Sequence, residues 1–172
     1  MLDLKSFIRD VPDYPIPGIL FKDITPLLRH PGGLALAVEL MANPFRGQGI
    51  DVVIGTESRG FIFGTAIAQA LSCGFVPIRK AGKLPRATHQ VAYGLEYGKD
   101  TIEVHIDSVK PGERVLLVDD LLATGGTLKA SCDLIAQLDG HIVGIAVLIE
   151  LVELKGRNML EDQSLLHAVL KM

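Results

Sequence analysis

The chain has no tryptophan and only two cysteines, and aromatic residues make up just 5% of its 172 positions. So few cysteines exclude a disulfide-framed extracellular scaffold, and the interior must be aliphatic. Cys73 and Cys132 share no metal or redox spacing and read as free thiols in helical segments. No block of like charge forms a tail, and a net charge of −3 leaves no electrostatic footprint for nucleic acid. The most apolar stretch, Ile145 to Ile149, stops at Glu150, far short of a membrane span. The start, Met1-Leu2-Asp3-Leu4-Lys5, lacks the basic-then-apolar order of a signal peptide. The five histidines have no ligand-like spacing, and no serine or cysteine sits in a nucleophile elbow. These absences lead us to expect a soluble, cytoplasmic protein with no membrane or nucleic-acid partner.

What is present suits one α/β domain. Apolar residues reach 48% and glycine 18 positions. Strand-like runs fall at Val52–Ile54, Phe75–Ile78, Ile102–Ile106, Val115–Val118 and Ile142–Ile149. Helical patterns lie around Gly33–Met41, Phe61–Leu71 and Leu128–Leu138. Strands alternating with helices predict a central, mostly parallel sheet flanked by helices. Thr101 to Ile106 alternates polar with apolar, which suits an antiparallel or edge strand. Thr88 to Thr101 is polar and glycine-punctuated, and its length suits a lid-like loop. Pro12, Pro15, Pro17 and Pro26 punctuate the first 30 residues, which cannot form a regular core element. We expect residues 1–30 to form a small hood over the sheet's carboxyl edge and 31–172 the core; an arm for oligomer packing is the alternative.

The most informative segment runs from Val115 to Thr127. A buried strand ends in Asp119-Asp120, and Ala123-Thr124-Gly125-Gly126-Thr127 then leads into a helix. A glycine-rich turn opening a helix offers backbone N–H groups and the positive end of the helix dipole to an anion. Thr124 and Thr127 add hydroxyls. The acidic pair repels phosphate, so it suits sugar hydroxyls, a metal ion or a cation formed during reaction. A second strand–turn–helix, Gly55-Thr56-Glu57-Ser58-Arg59-Gly60, carries a guanidinium. Two such loops at one sheet edge fit a ligand with two phosphate groups. Arg79, Lys80, Lys83 and Arg86 cluster beyond the Phe75–Ile78 strand, where they would neutralise such a ligand. Glu96, in the Thr88–Thr101 loop, is a candidate acid or base whose pKa would rise if the loop closed; an exposed Glu on a hairpin is the alternative.

The Asp119–Thr127 segment resembles the phosphoribosyl-diphosphate motif of the type I phosphoribosyltransferases. Pro15 to Leu28, Glu57-Ser58-Arg59-Gly60-Phe61, Arg79 to Pro85, Leu95-Glu96-Tyr97-Gly98 and Leu151 to Arg157 are similar to the adenine branch of that family. The resemblance implies the type I fold. It also implies transfer of phosphoribose from 5-phosphoribosyl 1-diphosphate to adenine, giving AMP and pyrophosphate, with Mg²⁺ as cofactor. By matching position, Leu20, Phe21, Lys22, Arg59 and Leu121 would bind adenine. Ala123, Thr124, Gly125, Gly126 and Thr127 would hold the 5-phosphate, and Glu57, Ser58, Arg59, Arg79 and Lys83 the pyrophosphate. Glu96, Asp119, Asp120 and Arg59 would be catalytic, and no direct protein ligand to Mg²⁺ is implied. The family pattern places a cis peptide at Glu57-Ser58 and implies a homodimer in which Arg79 reaches the neighbouring site. Lys22 stands where many members carry Arg, and the carboxyl end lacks the aromatic tail of some members. A transferase for an oxopurine and a non-catalytic sensor of phosphoribosyl diphosphate remain the rival readings.

Overall fold

A computed structural model describes residues 2–95 and 98–172. Residues 1–40 and 41–172 form two compact units. In the first, β1 (Arg9–Pro12) pairs antiparallel with β2 (Leu20–Asp23), so that Val11 stands opposite Phe21. The prolines therefore bracket a hairpin, and the Tyr14–Pro15 peptide is cis. Asp23 accepts from the Thr25 amide at 2.8 Å just before α1 (Thr25–Arg29), whose first turn carries Pro26. Helix α2 (Pro31–Ala42) runs across the boundary between the units.

The second unit holds a seven-stranded sheet. Its strands are β3 (Val52–Thr56), β4 (Gly74–Lys80), β5 (Thr88–Leu95), β6 (Gly98–His105), β7 (Arg114–Leu122), β8 (His141–Glu150) and β9 (Leu166–Lys171). Helix α3 (Arg59–Leu71) connects β3 to β4, and α4 (Gly126–Gln137) connects β7 to β8. The order across the sheet is β5-β6-β4-β3-β7-β8-β9. The β3–β4, β3–β7 and β7–β8 pairs are parallel. Their apolar runs need no alternation, because helices cover a parallel sheet on both faces. From β3 the chain crosses one way to β4, and from β7 the other way to β8. Right-handed crossovers in opposite directions put α3 and α4 on opposite faces and open a crevice between the carboxyl ends of β3 and β7. That crevice is where the two predicted anion loops emerge. One core cluster includes Ile54, Ile78, Ile102, Leu117, Leu134 and Val147.

Two sequence-based expectations change here. Residues 88–95 and 98–101 are strands, not a lid-like loop: β5 pairs with β6, and Val91 stands opposite Ile102. Val91 and Tyr93 pack on the core, which gives this polar segment one apolar face. β6 is antiparallel to both β4 and β5, as its alternation suggests, but it lies one strand in from the edge, which β5 occupies. At the other edge, the carboxyl end adds β9 in parallel to β8.

Gly144 of β8 lets the Phe45 ring lie against the sheet: a Cβ there would come within 2.1 Å of Phe45 Cε1. Gly144→Ala should therefore cost about 2 kcal/mol by overpacking. Much of that loss should be recovered in the Gly144→Ala/Phe45→Leu double variant, measured from urea midpoints. Simple additivity of the two changes would argue against this contact.

Candidate active site

The crevice holds a cavity of about 470 Å³ whose walls include Thr56, Ser58, Arg59, Asp119, Asp120 and Thr127. A neighbouring cavity of about 200 Å³ is formed by Leu121 to Leu128 with Arg59 and Asp120. The Gly55–Gly60 loop, first in chain order, and the Ala123–Thr127 loop, second, thus line adjoining cavities that share Arg59, Asp120 and Thr127, as two anion loops on one ligand require.

At the first loop, β3 is buried throughout and ends at Thr56. The Glu57–Ser58 peptide is cis, at the position the family pattern implies, and Ser58 immediately precedes α3 without a side-chain bond to its first turn. Gly60 gives the helix room beside the acidic pair: a Cβ there would come within 2.9 Å of both Asp119 Oδ1 and Thr56 Oγ1. At the second loop, β7 continues through Asp119 and Asp120 to Leu122, so the carboxylates stand on the strand rather than beyond its end. Gly125 adopts φ +90°, a left-handed conformation that disfavours a side chain, and α4 begins at Gly126. Tyr93 from β5 covers Gly126, with its ring Cδ2 3.3 Å from where a Cβ would lie. The Thr127 hydroxyl donates to Tyr93 Oη at 3.4 Å.

Asp119 and Asp120 are 9% and 6% exposed. Burial, and then the neighbouring Asp120 charge, push Asp119 up to about 8. Burial also raises Asp120, against the pull of Arg59, whose Nη2 lies 2.7 Å from Asp120 Oδ2. The Asp120 amide donates to Asp119 Oδ1 at 2.8 Å. Two desolvated carboxylates beside a cavity have their strongest use when positive charge develops next to them.

Glu57 faces away from an anion's needs. Its Oε2 accepts from Arg79 Nε and from the Lys80 amide, both at 2.9 Å, and the Arg79 bond chiefly holds its carboxyl below the usual range. Arg79 is thus engaged by its own chain, and its guanidinium also lies 5.9 Å from the Phe61 ring centroid. Lys80 Nζ meets Asp100 at 3.3 Å and lines the larger cavity. Lys83 is exposed on the turn after β4. Leu121 and Ala123 to Thr127 line the smaller cavity. Leu20, Phe21 and Lys22 lie on β2 of the first unit, where Phe21 meets Tyr14 edge-on and Lys22 Nζ pairs with Asp10 at 2.7 Å. Glu96 lies outside the described residues.

Sequence reasoning named Thr56 and Gly60 only as members of the Gly55–Gly60 loop and gave Tyr93, Glu103 and Gly156 no role. Gly60 was visible as a small residue opening an apolar helix. Glu103 and Gly156 carried no local signal, because distant segments decide what surrounds them. Among the described residues no three His, Cys, Asp or Glu side chains form a metal-binding group. Cys132 lies apart, in a cavity of about 250 Å³ along α4, and burial first, then Asp133, pushes its thiol up to about 11, which makes it a poor nucleophile.

Residues 23–164 match the family model of the phosphoribosyl transferase domain. The chain is 56% identical over 170 residues to the adenine phosphoribosyltransferase of Rhodopirellula baltica, covering 99% of this chain and 82% of that protein. It is similar, with TM-score 0.94 and 54% identity, to the crystal structure of adenine phosphoribosyltransferase from Rhodothermus marinus, covering 98% and 96% of the two chains. The APRTase of Giardia lamblia, solved with 9-deazaadenine, is 38% identical with TM-score 0.94 and coverage of 99% and 96%.

Proposed function

The chain belongs to the adenine phosphoribosyltransferase family, and on that premise we propose that it joins adenine to 5-phosphoribosyl 1-diphosphate, giving AMP and pyrophosphate. The observation that carries this reading is the convergence of two anion loops and a buried acidic pair on two adjoining cavities that share Arg59, Asp120 and Thr127.

Ala123 to Thr127 hold the 5-phosphate through loop amides, the threonine hydroxyls and the amino end of α4. Ser58, Arg59 and Lys83 face the diphosphate, and Glu57 serves it indirectly by fixing Arg79 and the Lys80 amide. Between these sites the ribose lies against Asp119 and Asp120. Loss of diphosphate from C1 leaves an oxocarbenium-like ring, and the acidic pair favours that charge most when it is greatest. Adenine attacks through N9, and Glu96 assists proton movement at N7. The family resemblance assigns the purine faces to Phe21 and Leu121 and its edge to main-chain groups at Leu20 and Lys22.

The hard carboxylate oxygens of Asp119 and Asp120 suit Mg²⁺ chemically, but the described residues form no complete cation cage. The ion would therefore be held mainly by oxygens of the substrate, and would supply charge that offsets the leaving group's. The same reading includes a homodimer in the cytoplasm. No helix among the described residues is long and apolar enough to cross a membrane.

The test is AMP formation from 5-phosphoribosyl 1-diphosphate and Mg²⁺ with adenine, hypoxanthine, guanine or xanthine, with Glu96→Ala beside the wild type. We expect turnover with adenine alone, reduced about 10²-fold or more in the variant. Turnover with an oxopurine would overturn the base assignment. Tight binding of the diphosphate without turnover would overturn the enzymatic reading.

A further inference from the structure

Glu103 is 2% exposed, on a strand whose neighbours in sequence are Ile102 and Val104. A carboxylate so deeply buried must be matched by donors, and each of its oxygens is. Oε1 accepts from the amides of Lys83 and Leu84, both at 2.9 Å. Oε2 accepts from Gln90 Nε2 at 2.9 Å and lies 3.4 Å from Thr88 Oγ1. Burial alone would raise its pKa; the amides of Leu84 and Gly82, the Gln90 side chain and the Lys83 amide together hold it below the usual carboxylate range.

These partners come from two places that matter to the site. Lys83 and Leu84 belong to the basic segment 79–84, whose other end is held by Glu57 through Arg79 and the Lys80 amide. Gln90 and Thr88 lie on β5, which pairs with β6, the strand that carries Glu103 itself. The segment is therefore moored by one carboxylate at each end: Arg79 and Lys80 close β4 against β6, and the turn beyond them is fixed by the charge-assisted bonds to Glu103. Anchored this way, Lys83 projects from a fixed turn and Lys80 from the strand end before it, which reduces the ordering cost of gripping an anion.

We propose that Glu103 is a positioning residue that shapes segment 79–84 into the diphosphate grip and ties that grip to the β5–β6 hairpin. The inference rests on the reaction proposed above. Glu103 touches no reacting atom; it acts through the Lys83 and Leu84 amides.

The test compares wild type with Glu103→Ala, Glu103→Gln and Gln90→Ala. The readouts are KM for 5-phosphoribosyl 1-diphosphate, KM for adenine, kcat, and the Kd of AMP by calorimetry. For Glu103→Ala, two orphaned amides should raise KM for the diphosphate about tenfold or more, while adenine KM, AMP Kd and kcat move by less than about threefold. Glu103→Gln should return KM to within about threefold of wild type, because its amide oxygen still accepts from Lys83 and Leu84 and Gln90 can flip to present its own oxygen. Gln90→Ala, on an exposed strand position, removes a single bond and should shift the diphosphate KM about threefold in the same direction, which keeps the test open if Glu103→Ala fails to fold. Unchanged diphosphate KM in the Ala variants, or equal weakening of AMP, would overturn the role of Glu103 while leaving the reaction in place. An inactive wild type would overturn the reaction, and with it the grip.

Discussion

Asp119→Asn is expected to lower kcat by about 10²- to 10³-fold, the loss typical of removing one preorganised electrostatic group, and at the same time to raise the melting temperature of the ligand-free protein at alkaline pH. The two effects share one cause. Asp119 stands beside Asp120, both almost fully buried, and burial and like charge push it from an ordinary 3.8 up to about 8. The folded protein therefore binds this proton more tightly than the unfolded chain does. As pH rises through that window the unfolded chain ionises first, so the stability contributed by the protonated carboxyl is present at acid pH and is lost by about pH 8. Asparagine, which cannot ionise, should abolish that slope. Thermal melts of wild type and Asp119→Asn at pH 5 and pH 8.5 should diverge at the higher pH, with the variant the more stable. A variant equally or less stable at pH 8.5 would show that Asp120, Thr56 and Arg59 already accommodate the charge. A variant with wild-type kcat would remove Asp119 from the reaction.

Gly156→Ala should be nearly as damaging, although the residue lies some thirty positions after the phosphate loop. A Cβ at Gly156 would come within 2.1 Å of the Ala123 carbonyl and 2.9 Å of the Gly125 amide. The contact is reciprocal: a Cβ at Gly125 would approach the Gly156 carbonyl at 2.4 Å. Both partners are main chain, so no side chain can rotate aside and the loop itself must move. We expect a loss of about 3 kcal/mol, or roughly 6–12 °C in Tm for a chain of this size. AMP affinity should fall about tenfold or more, because the displaced amides are those offered to the 5-phosphate. Denaturant midpoints and calorimetric titration with AMP check the two parts separately. Wild-type stability would show that the turn can yield; lost stability with unchanged AMP affinity would place the 5-phosphate away from this loop.

The Glu103 and Gly156 predictions concern residues that no inspection of the sequence singled out, and the reason is physical. Local sequence encodes local backbone. Four apolar residues, two carboxylates and a small-residue turn were enough to read β7, the acidic pair and the start of α4. The same logic, strand into turn into helix, identified β3 and α3 with Arg59 at their junction. The position of the cis peptide came from the family resemblance. In each case the residues that make the feature are neighbours in the chain, so their periodicity and turn chemistry appear in sequence order.

What tertiary structure alone decided are the pairings between distant segments. Thr88 to Thr101 looked like a loop because its polar residues outnumber its apolar ones; only the register that sets Val91 against Ile102 and lays both on the core makes it a hairpin. Glu103 alternates with Ile102 and Val104 as a solvent-facing residue would, and it is buried because the turn at 83–84 folds over it. Glu57 and Arg79 were both assigned to the diphosphate, yet their pairing at 2.9 Å makes one the anchor of the other. Gly156 has no turn signature, and its lack of a side chain matters only because the Ala123 carbonyl passes beside it. The sequence by itself determined which chemical groups the site contains and which short segments present them. The tertiary structure decided which of those groups face a ligand and which are used to hold the others, because burial and main-chain contact depend on residues that the chain order keeps apart.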